Sequence, residues 1–178
     1  MKLLLVVDYQ KDFTDGSLGF EGAEKLDSLI AEKIASCRRG GGYVAFTLDT
    51  HYDDYLHTQE GKKLPVPHCI KGTDGHELYG MTGKQRLTCD MVFEKNTFAS
   101  LELAEYLKQK NYDRVEIVGL VSNICVASNA IMVKAALPEA EVIVDAGCTD
   151  SFDRELQEKC FDVLEGMQIT VANRKRKE

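Results

Sequence analysis

One cysteine near the start of a predicted helix is the side chain best placed to act as a nucleophile. Cys125 comes soon after the apolar run 115–118 and Gly119, and apolar residues with helical spacing begin near Ile124. At a helix N-terminus, the dipole and the free backbone N–H groups stabilise a thiolate. The same N–H groups can bind an oxyanion. The sequence therefore indicates a nucleophile and its oxyanion site in one turn. From position alone, a buried structural cysteine remains the alternative.

Two charged residues that directly follow other predicted strands can complete such a site. Asp8 follows the apolar run 3–7, and Lys95 comes just after the short run 91–93. A carboxylate can serve as general base for a thiol. An ammonium group stabilises the ionised pair and any negative charge that develops during reaction. Taken singly, Asp8 is more typical of a turn or a helix cap, and Lys95 is more typical of a solvated surface.

Carboxylate and imidazole side chains gather in the polar segment that begins at Asp49. His51 lies two residues on, and His57, Glu60 and His68 follow within about 20 residues of the start, so three of the four histidines lie within residues 49–68. Such a donor set suits Zn²⁺, Fe²⁺ or Mn²⁺. The alternative is a polar surface loop whose histidines have no common role.

These residues need secondary structure that brings them together, and the hydrophobic pattern predicts it. Apolar runs typical of strands alternate with segments of helical spacing. The predicted strands are residues 3–7, 43–48, 91–93, 115–118, 142–144 and 168–171, and the predicted helices are residues 23–38, 101–110, 124–136 and 154–164. This order predicts an α/β fold with three αβα layers, in which a mostly parallel six-stranded sheet has helices on both faces. Ligands bind beyond the carboxyl ends of such strands, where Asp8, Asp49, Lys95 and Cys125 all fall. Asp145 and Cys148 are expected on the loop after the fifth strand.

Length and charge narrow the class of protein further. A chain of 178 residues fits one domain, so we predict a single domain over 1–178, with 49–90 as a long inserted loop for metal and substrate. The net charge of -7 argues against a general nucleic-acid or membrane binder. The N-terminal apolar run is too short for a signal peptide, so a cytoplasmic protein is expected. No two of the six cysteines form a CxxC motif, which argues against a thioredoxin-type or zinc-ribbon site. In a reducing compartment most of them are expected to be free, buried thiols. The basic segment 173–177 is expected to be a solvated terminus.

Four short motifs occur in chain order at these predicted strand ends. They are VDYQKDF at 7–13, DTH at 49–51 with PHCIKGT at 67–73, FEKNTF at 93–98, and GLVSNICV at 119–126. Together they resemble the motifs of the isochorismatase-like cysteine hydrolase superfamily, and specifically its nicotinamidase branch. The resemblance covers nearly the whole chain and implies the isochorismatase-like hydrolase fold.

The resemblance also implies a role for each residue of a catalytic triad. Asp8 is expected to be the general base, Lys95 its electrostatic partner and Cys125 the nucleophile. A cis peptide bond is implied at Leu120–Val121. The backbone amides of Val121 and Cys125 are then expected to form the oxyanion hole.

By the same resemblance, the residues after the second strand bind a divalent metal ion. The implied ligands are Asp49, His51 and His68, with Glu60 as the fourth ligand or His57 as its alternative. Zinc is the expected ion, and iron or manganese are the alternatives. The ion with its bound water would hold the pyridine nitrogen of nicotinamide.

The implied activity is that of a cysteine-dependent amidohydrolase that converts nicotinamide and water to nicotinic acid and ammonia through a thioester. Phe13 is expected to pack against the substrate ring, and Gln10 to contact the substrate. The chain has no tryptophan, whereas the family often uses one in its aromatic wall. Two alternatives remain: a related amidase for a carbamoyl or ureido compound, and a non-catalytic binding module on the same fold. A small-molecule substrate and a homo-oligomer are expected, without nucleic acid or membrane.

Overall fold

A parallel sheet forms the centre of the molecule. The computed structural model describes residues 1–175, and these contain one six-stranded sheet. Its strands are β1 (Lys2–Val7), β2 (Tyr43–Asp49), β3 (Met91–Lys95), β4 (Arg114–Leu120), β5 (Glu141–Asp150) and β6 (Thr170–Ala172). Their order is β3-β2-β1-β4-β5-β6, and each pair is parallel. The predicted sheet is confirmed.

Helices cover both faces of this sheet. They are α1 (Lys11–Thr14), α2 (Leu26–Arg39), α3 (Gln59–Lys63), α4 (Gly80–Lys84), α5 (Leu101–Lys108), α6 (Ala127–Ala136) and α7 (Arg154–Gly166). On one face, Ile30 and Ile34 of α2 share a buried apolar core with Phe46 of β2. Leu107 of α5 and Phe161 of α7 belong to the core on the other face. This arrangement confirms the predicted three-layer α/β architecture.

Strand β1 is buried on both faces, as its continuous apolar run predicts. Leu3, Leu5 and Val7 contribute to the core beneath α5, α6 and α7, whereas Leu4 and Val6 contribute to the core beneath α2. Successive side chains of a strand point to opposite faces, so only a strand with helices on both sides needs apolar residues at every position.

The order of the strands places a crevice beside β1. The chain builds outward from β1 through β2 to β3, and then returns to the other side of β1 for β4, β5 and β6. In open parallel sheets such a reversal leaves a ligand-binding crevice beyond the carboxyl ends of the two central strands. Asp8 directly follows β1 and the turn that carries Cys125 follows β4, so both residues lie at this crevice.

Gly119 allows β4 to lie close to β1 just before this turn. It pairs with Val7 and has a φ angle of 115°. A Cβ atom at this position would lie 2.0 Å from the Val7 carbonyl oxygen and 2.7 Å from the Val7 nitrogen. Because both neighbouring atoms belong to backbone, they cannot move aside without shifting β1. The glycine therefore sets the distance between the strands that carry Asp8 and Cys125.

We expect the substitution Gly119→Ala to lower the free energy of unfolding by about 3 kcal/mol or more, because it combines overpacking with an unfavourable φ angle. Urea denaturation followed by circular dichroism measures this change. Gly166→Ala is the matched control, because a Cβ there meets no atom within 4 Å. A Gly119→Ala protein as stable as the wild type would show that β1 and β4 tolerate a wider spacing.

Strand β5 is longer than its apolar run predicts. It continues to Asp150, so Asp145 and Cys148 lie within the strand and the prediction that they lie on a loop is wrong. Asp145 is fully buried, where Lys33 forms an ion pair with it and Asn173 donates a hydrogen bond to it. A buried carboxylate with such partners interrupts the apolar pattern without ending the strand.

Arg174 belongs to the basic segment for which a solvated terminus is predicted, but its side chain does not extend into solvent. Its guanidinium group pairs with Glu158, Asp162 and Glu165 of α7. The prediction of a solvated terminus also covers residues 176 and 177, which lie outside the described residues. Within residues 1–175, none of the helices combines the length and the apolar character that crossing a membrane requires.

Candidate active site

Three charged or nucleophilic side chains from separate strand ends meet in the crevice. The Lys95 Nζ atom lies 2.6 Å from Asp8 Oδ2 and 3.7 Å from Cys125 Sγ. All three residues are buried. The structure therefore brings together the three residues of the predicted triad, with the ammonium group in contact with both the carboxylate and the sulfur.

Burial and charge set the protonation of this cluster. Burial raises the pKa of the Asp8 carboxyl, although Lys95 opposes the change. Burial also raises the pKa of the Cys125 thiol well above its usual value; Lys95 lowers it in turn, and Asp8 raises it. Burial alone would lower the pKa of Lys95, but the nearby negative groups, Asp8 first, outweigh this and raise it. Lys95 therefore stays charged, and a carboxylate with a raised pKa is well suited to accept the thiol proton.

Two threonines hold the charged pair in place. The Thr47 hydroxyl donates a 2.6 Å hydrogen bond to Asp8 Oδ1, and Lys95 Nζ donates one of 2.9 Å to the Thr97 carbonyl. Sequence reasoning missed both residues. Thr47 has a recognisable signal, since it is a polar residue in a strand, β2, that is otherwise apolar up to Asp49. Thr97 acts through its backbone, which leaves no signal in the residue type.

A second cluster, of metal-ligand type, lies directly beside the first. One ligand atom from each of Asp49, His51 and His68 lies within 4.8 Å of the other two. Asp49 Oδ2 is 3.0 Å from His51 Nε2 and 3.3 Å from His68 Nε2. The other carboxylate oxygen of Asp49 is 3.5 Å from Lys95 Nζ. The two clusters therefore form one continuous site.

Glu60 is the residue that can complete this donor set. Its Oε1 atom lies 3.8 Å from His51 Nε2 and 3.6 Å from His68 Nε2. His57, the alternative, is exposed on the short 3₁₀ turn Tyr55–His57 and does not join the cluster. Two imidazole nitrogens and two carboxylate oxygens that converge on one point suit a divalent cation.

Aromatic and backbone groups orient the two histidines. The ring centroid of Tyr55 lies 4.7 Å from that of His51 and 5.0 Å from that of His68. His68 Nδ1 is 2.8 Å from the Val66 carbonyl, which leaves Nε2 to face Asp49. Such outer contacts fix the tautomer and the orientation of a ligating histidine. The ring centroid of Phe13 lies 5.5 Å from that of His68, at the border of the donor set.

Gln10 has a different place from the predicted contact with substrate. It is fully buried, and its Oε1 atom accepts a 2.8 Å hydrogen bond from the Asp49 amide. Its Nε2 group donates to the carbonyls of Asp49 and His76 at 2.9 and 2.8 Å. Both amide hydrogens and the oxygen are thus engaged with backbone. The side chain holds the Asp49 backbone in place, and no hydrogen remains to donate to a substrate.

The sequence predicts that Cys125 lies at the start of an α-helix, but the turn that carries it is not α-helical. The Leu120–Val121 peptide bond is cis, as predicted. A π-helical turn, Ser122–Val126, follows and leads into α6. The amides of Ile124 and Val126 donate to the Val121 carbonyl at 3.1 and 3.2 Å, which closes the turn. Single π-turns in helices occur frequently at functional sites.

A modest cavity opens on the solvent side of the donor set. It has a volume of about 380 Å³ and is bordered by His51, Glu60, Asn96 and Thr97, among others. This volume lies in the range of small-molecule sites. A larger cavity of about 930 Å³, which Leu78 and Arg86 help to line, is bordered by none of the candidate metal ligands, and neither cavity is lined by a triad residue. Of these two cavities, the smaller one is therefore the one that borders the donor set.

The match to a known family covers almost the entire chain. The family model described as Isochorismatase domain matches residues 2–175. The chain belongs to the isochorismatase family. The resemblance that the four motifs indicate is thereby confirmed, and the matched range includes every residue of both clusters.

Individual members of the isochorismatase family are similar to this chain at modest identity. The Mycobacterium tuberculosis protein named nicotinamidase/pyrazinamidase is 28% identical over 146 residues, which cover 73% of this chain and 77% of that protein. The solved pyrazinamidase/nicotinamidase of Streptococcus mutans has a TM-score of 0.85 at 25% identity, covering 96% of this chain and 99% of that one. The N-carbamoylsarcosine amidase of Thermoplasma acidophilum has a TM-score of 0.79 at 25% identity, covering 99% and 98% of the two chains.

A buried hydroxyl group supports the π-helical turn that carries Cys125. Ser122 Oγ lies 2.9 Å from Thr149 Oγ1 and donates to Gln157 Oε1 at 3.0 Å. These contacts link the π-helical turn to β5 and α7. Sequence reasoning included Ser122 in a motif without a role, because its two partners are 27 and 35 residues away in the chain.

Proposed function

We propose that this isochorismatase-family hydrolase cleaves the amide C–N bond of nicotinamide and releases nicotinic acid and ammonia. One observation carries the proposal: the Asp8–Lys95–Cys125 cluster touches the Asp49 donor cluster. A thiol that can attack a carboxamide and a site that can hold a ring nitrogen therefore lie within the span of one small aromatic amide.

The proposed reaction begins with transfer of the Cys125 thiol proton to Asp8. The thiolate attacks the carboxamide carbon, and the C–N bond breaks as Asp8 returns the proton to the leaving ammonia. This leaves a thioester on Cys125. Water then gives a proton to Asp8 and adds to the thioester, and the thiolate leaves to give the acid. Asp8 finally returns this proton to the Cys125 sulfur, so it acts twice as base and twice as acid in each cycle, for which its raised pKa is suited.

Stabilisation of negative charge falls to Lys95 and to the turn after β4. The ammonium group lies 3.7 Å from the sulfur and stabilises the thiolate. The oxyanion that forms on the carboxamide oxygen is proposed to accept hydrogen bonds from the backbone amides of Val121 and Cys125. Preorganised donors of this kind are often the largest single contribution to catalysis.

The proposed metal ligands are Asp49, His51, His68 and Glu60. Zinc is the favoured ion because the set combines imidazole with carboxylate ligands, and iron or manganese are alternatives. When bound, the ion would supply a Lewis-acidic centre that helps to hold the pyridine nitrogen of the substrate. The residues of the chain orient this substrate: Phe13, beside His68, is proposed to pack against the ring.

Ammonia release from a panel of amides tests the proposed substrate. We expect kcat/KM for nicotinamide to exceed that for N-carbamoylsarcosine by about 100-fold or more, because a site built for a polar partner discriminates strongly against compounds that lack it. Pyrazinamide, which also carries a ring nitrogen, should be hydrolysed as well. Preference for the carbamoyl compound would support the alternative amidase, for which the similarity to N-carbamoylsarcosine amidase is the specific argument.

Removal of one metal ligand should weaken substrate binding more than it slows the thiol chemistry. We expect His68→Ala to raise KM for nicotinamide about 10- to 100-fold and to lower the bound metal content. The matched control is His57→Ala, in the same loop but exposed, which should change neither quantity. Metal analysis and steady-state kinetics on the same samples measure both. An unchanged KM in His68→Ala would contradict the proposed role of the ion.

A further inference from the structure

Asn129 connects the residue Cys125 to the segment 96–100 after β3, and no motif predicts this role. It lies on α6, one helical turn after Cys125, and it is fully buried. Its Nδ2 group donates to the Cys125 carbonyl at 2.8 Å and to the Phe98 carbonyl at 3.0 Å. Its Oδ1 atom accepts from the Ser100 amide at 3.1 Å. The side chain thus bridges the nucleophile and the segment 96–100.

The sheet alone does not fix the distance between Lys95 and Cys125. Lys95 ends the edge strand β3, and Cys125 follows β4, with β2 and β1 between them. Neighbouring strands are about 4.8 Å apart, so the two strand ends are separated by about 14 Å of backbone. The ammonium and the sulfur nevertheless approach to 3.7 Å, because the Lys95 side chain extends across the neighbouring strand ends, where it contacts Asp49 and Asp8. Strand pairing alone therefore does not determine the distance between the ammonium and the sulfur, and contacts outside the sheet are needed.

The segment 96–100 has no regular secondary structure, and Asn129 supplies hydrogen-bond partners for part of its backbone. These five residues contain bends but no regular helix or strand, so their backbone groups depend on other partners. Lys95 Nζ donates to the carbonyl of Thr97 in this segment. The next residue, Phe98, accepts from Asn129, and Asn129 also donates to Cys125. These hydrogen bonds, joined through the backbone between Thr97 and Phe98, therefore link the ammonium to the residue that carries the thiol.

We propose that Asn129 is a positioning residue that sets the distance between the Lys95 ammonium and the Cys125 sulfur through the segment 96–100. This inference rests on the proposed function only in taking Cys125 as the nucleophile. The hydrogen bonds of the Asn129 side chain described above all go to backbone groups, and none goes to the sulfur. Its contribution is geometric, and small displacements of catalytic groups have large effects: about 1 Å can cost about 100-fold in rate.

The test compares Asn129→Leu with a matched core variant, Val133→Ala. Val133 lies one turn further along α6, is fully buried and belongs to the apolar core, so its substitution controls for loss of stability. Native protein is treated with the neutral reagent chloroacetamide at pH 7.5, and alkylation of Cys125 is followed by mass spectrometry. We expect alkylation in Asn129→Leu to be about tenfold slower than in Val133→Ala, because the thiolate loses its nearby ammonium. Equal or faster alkylation would overturn the proposal.

Steady-state kinetics on the same proteins give a second readout. For nicotinamide, kcat should fall about 10- to 100-fold in Asn129→Leu while KM stays within about threefold, and Val133→Ala should keep the wild-type kcat. A rise in KM without a change in kcat would contradict a positioning role. If Asn129→Leu does not fold, Asn129→Ser replaces it, and the same order of rates is expected with a smaller difference. If no amide is hydrolysed but the alkylation rates still differ as expected, the proposed function fails and the role of Asn129 stands.

Discussion

Replacing Cys125 with alanine should abolish amide hydrolysis, with a loss in kcat/KM of about 10⁴-fold or more. Without the sulfur no thioester can form, and Asp8 and Lys95 have no nucleophile to activate. The fold should persist, because Cys125 is a small side chain at the edge of the apolar core. Ammonia release from nicotinamide measures the activity, and thermal unfolding measures the stability.

Two further variants make this result specific to the cysteine at position 125. Cys160→Ala removes a partly buried thiol that packs against the same core and should keep full activity. Cys125→Ser retains a hydroxyl group but should remain nearly inactive, because a hydroxyl is far less readily ionised than a thiol. Hydrolysis by Cys125→Ala at a rate near that of the wild type would exclude a thioester. If the wild type also hydrolyses no amide in the panel, the non-catalytic binding module becomes the better interpretation.

The positions of the triad and of Asp49 follow from the sequence because they depend on topology. In a parallel sheet the carboxyl ends of all strands share one edge, and Asp8, Asp49 and Lys95 each end or directly follow a strand. The register pairs Asp49 with Lys95 across β2 and β3, so their proximity is a property of strand pairing. Cys125 needs one further step, because its turn is positioned by Gly119 and the segment that follows it.

The residues that sequence reasoning missed or misplaced depend on side-chain direction and on distant backbone. Gln10 lies in a recognised motif, but its amide engages the backbone of Asp49 and His76, and no local pattern reveals that partner. The choice between Glu60 and His57 depends on how two short helical turns are oriented, which spacing alone leaves open. The role of Asn129 becomes apparent only when the structure places the segment 96–100 beside α6. Such contacts between distant segments determine the precision of the site rather than its location.

Substituting Asp8 by asparagine should have the second largest effect and should move two observable rates in opposite directions. Asparagine is nearly the same size, but it cannot accept the thiol proton or return it to ammonia. We expect kcat for nicotinamide to fall about 10³- to 10⁴-fold. The negative charge of Asp8 raises the pKa of the Cys125 thiol, so its removal should lower that pKa and favour the thiolate beside Lys95. Alkylation of Cys125 at neutral pH should therefore become faster while hydrolysis is lost.

This divergence separates a catalytic base from a residue needed only for folding. Asp145→Asn is the matched control, because Asp145 is also a buried carboxylate paired with a lysine, Lys33, outside the site. It should reduce stability but leave kcat and the alkylation rate of Cys125 close to those of the wild type. If Asp8→Asn slowed both hydrolysis and alkylation, Asp8 would be required to create the thiolate rather than merely to carry its proton, and Lys95 alone would be insufficient to stabilise it. If hydrolysis by Asp8→Asn stayed near the wild-type rate, the proton would have to pass to another group, and the assignment of Asp8 as base would be wrong.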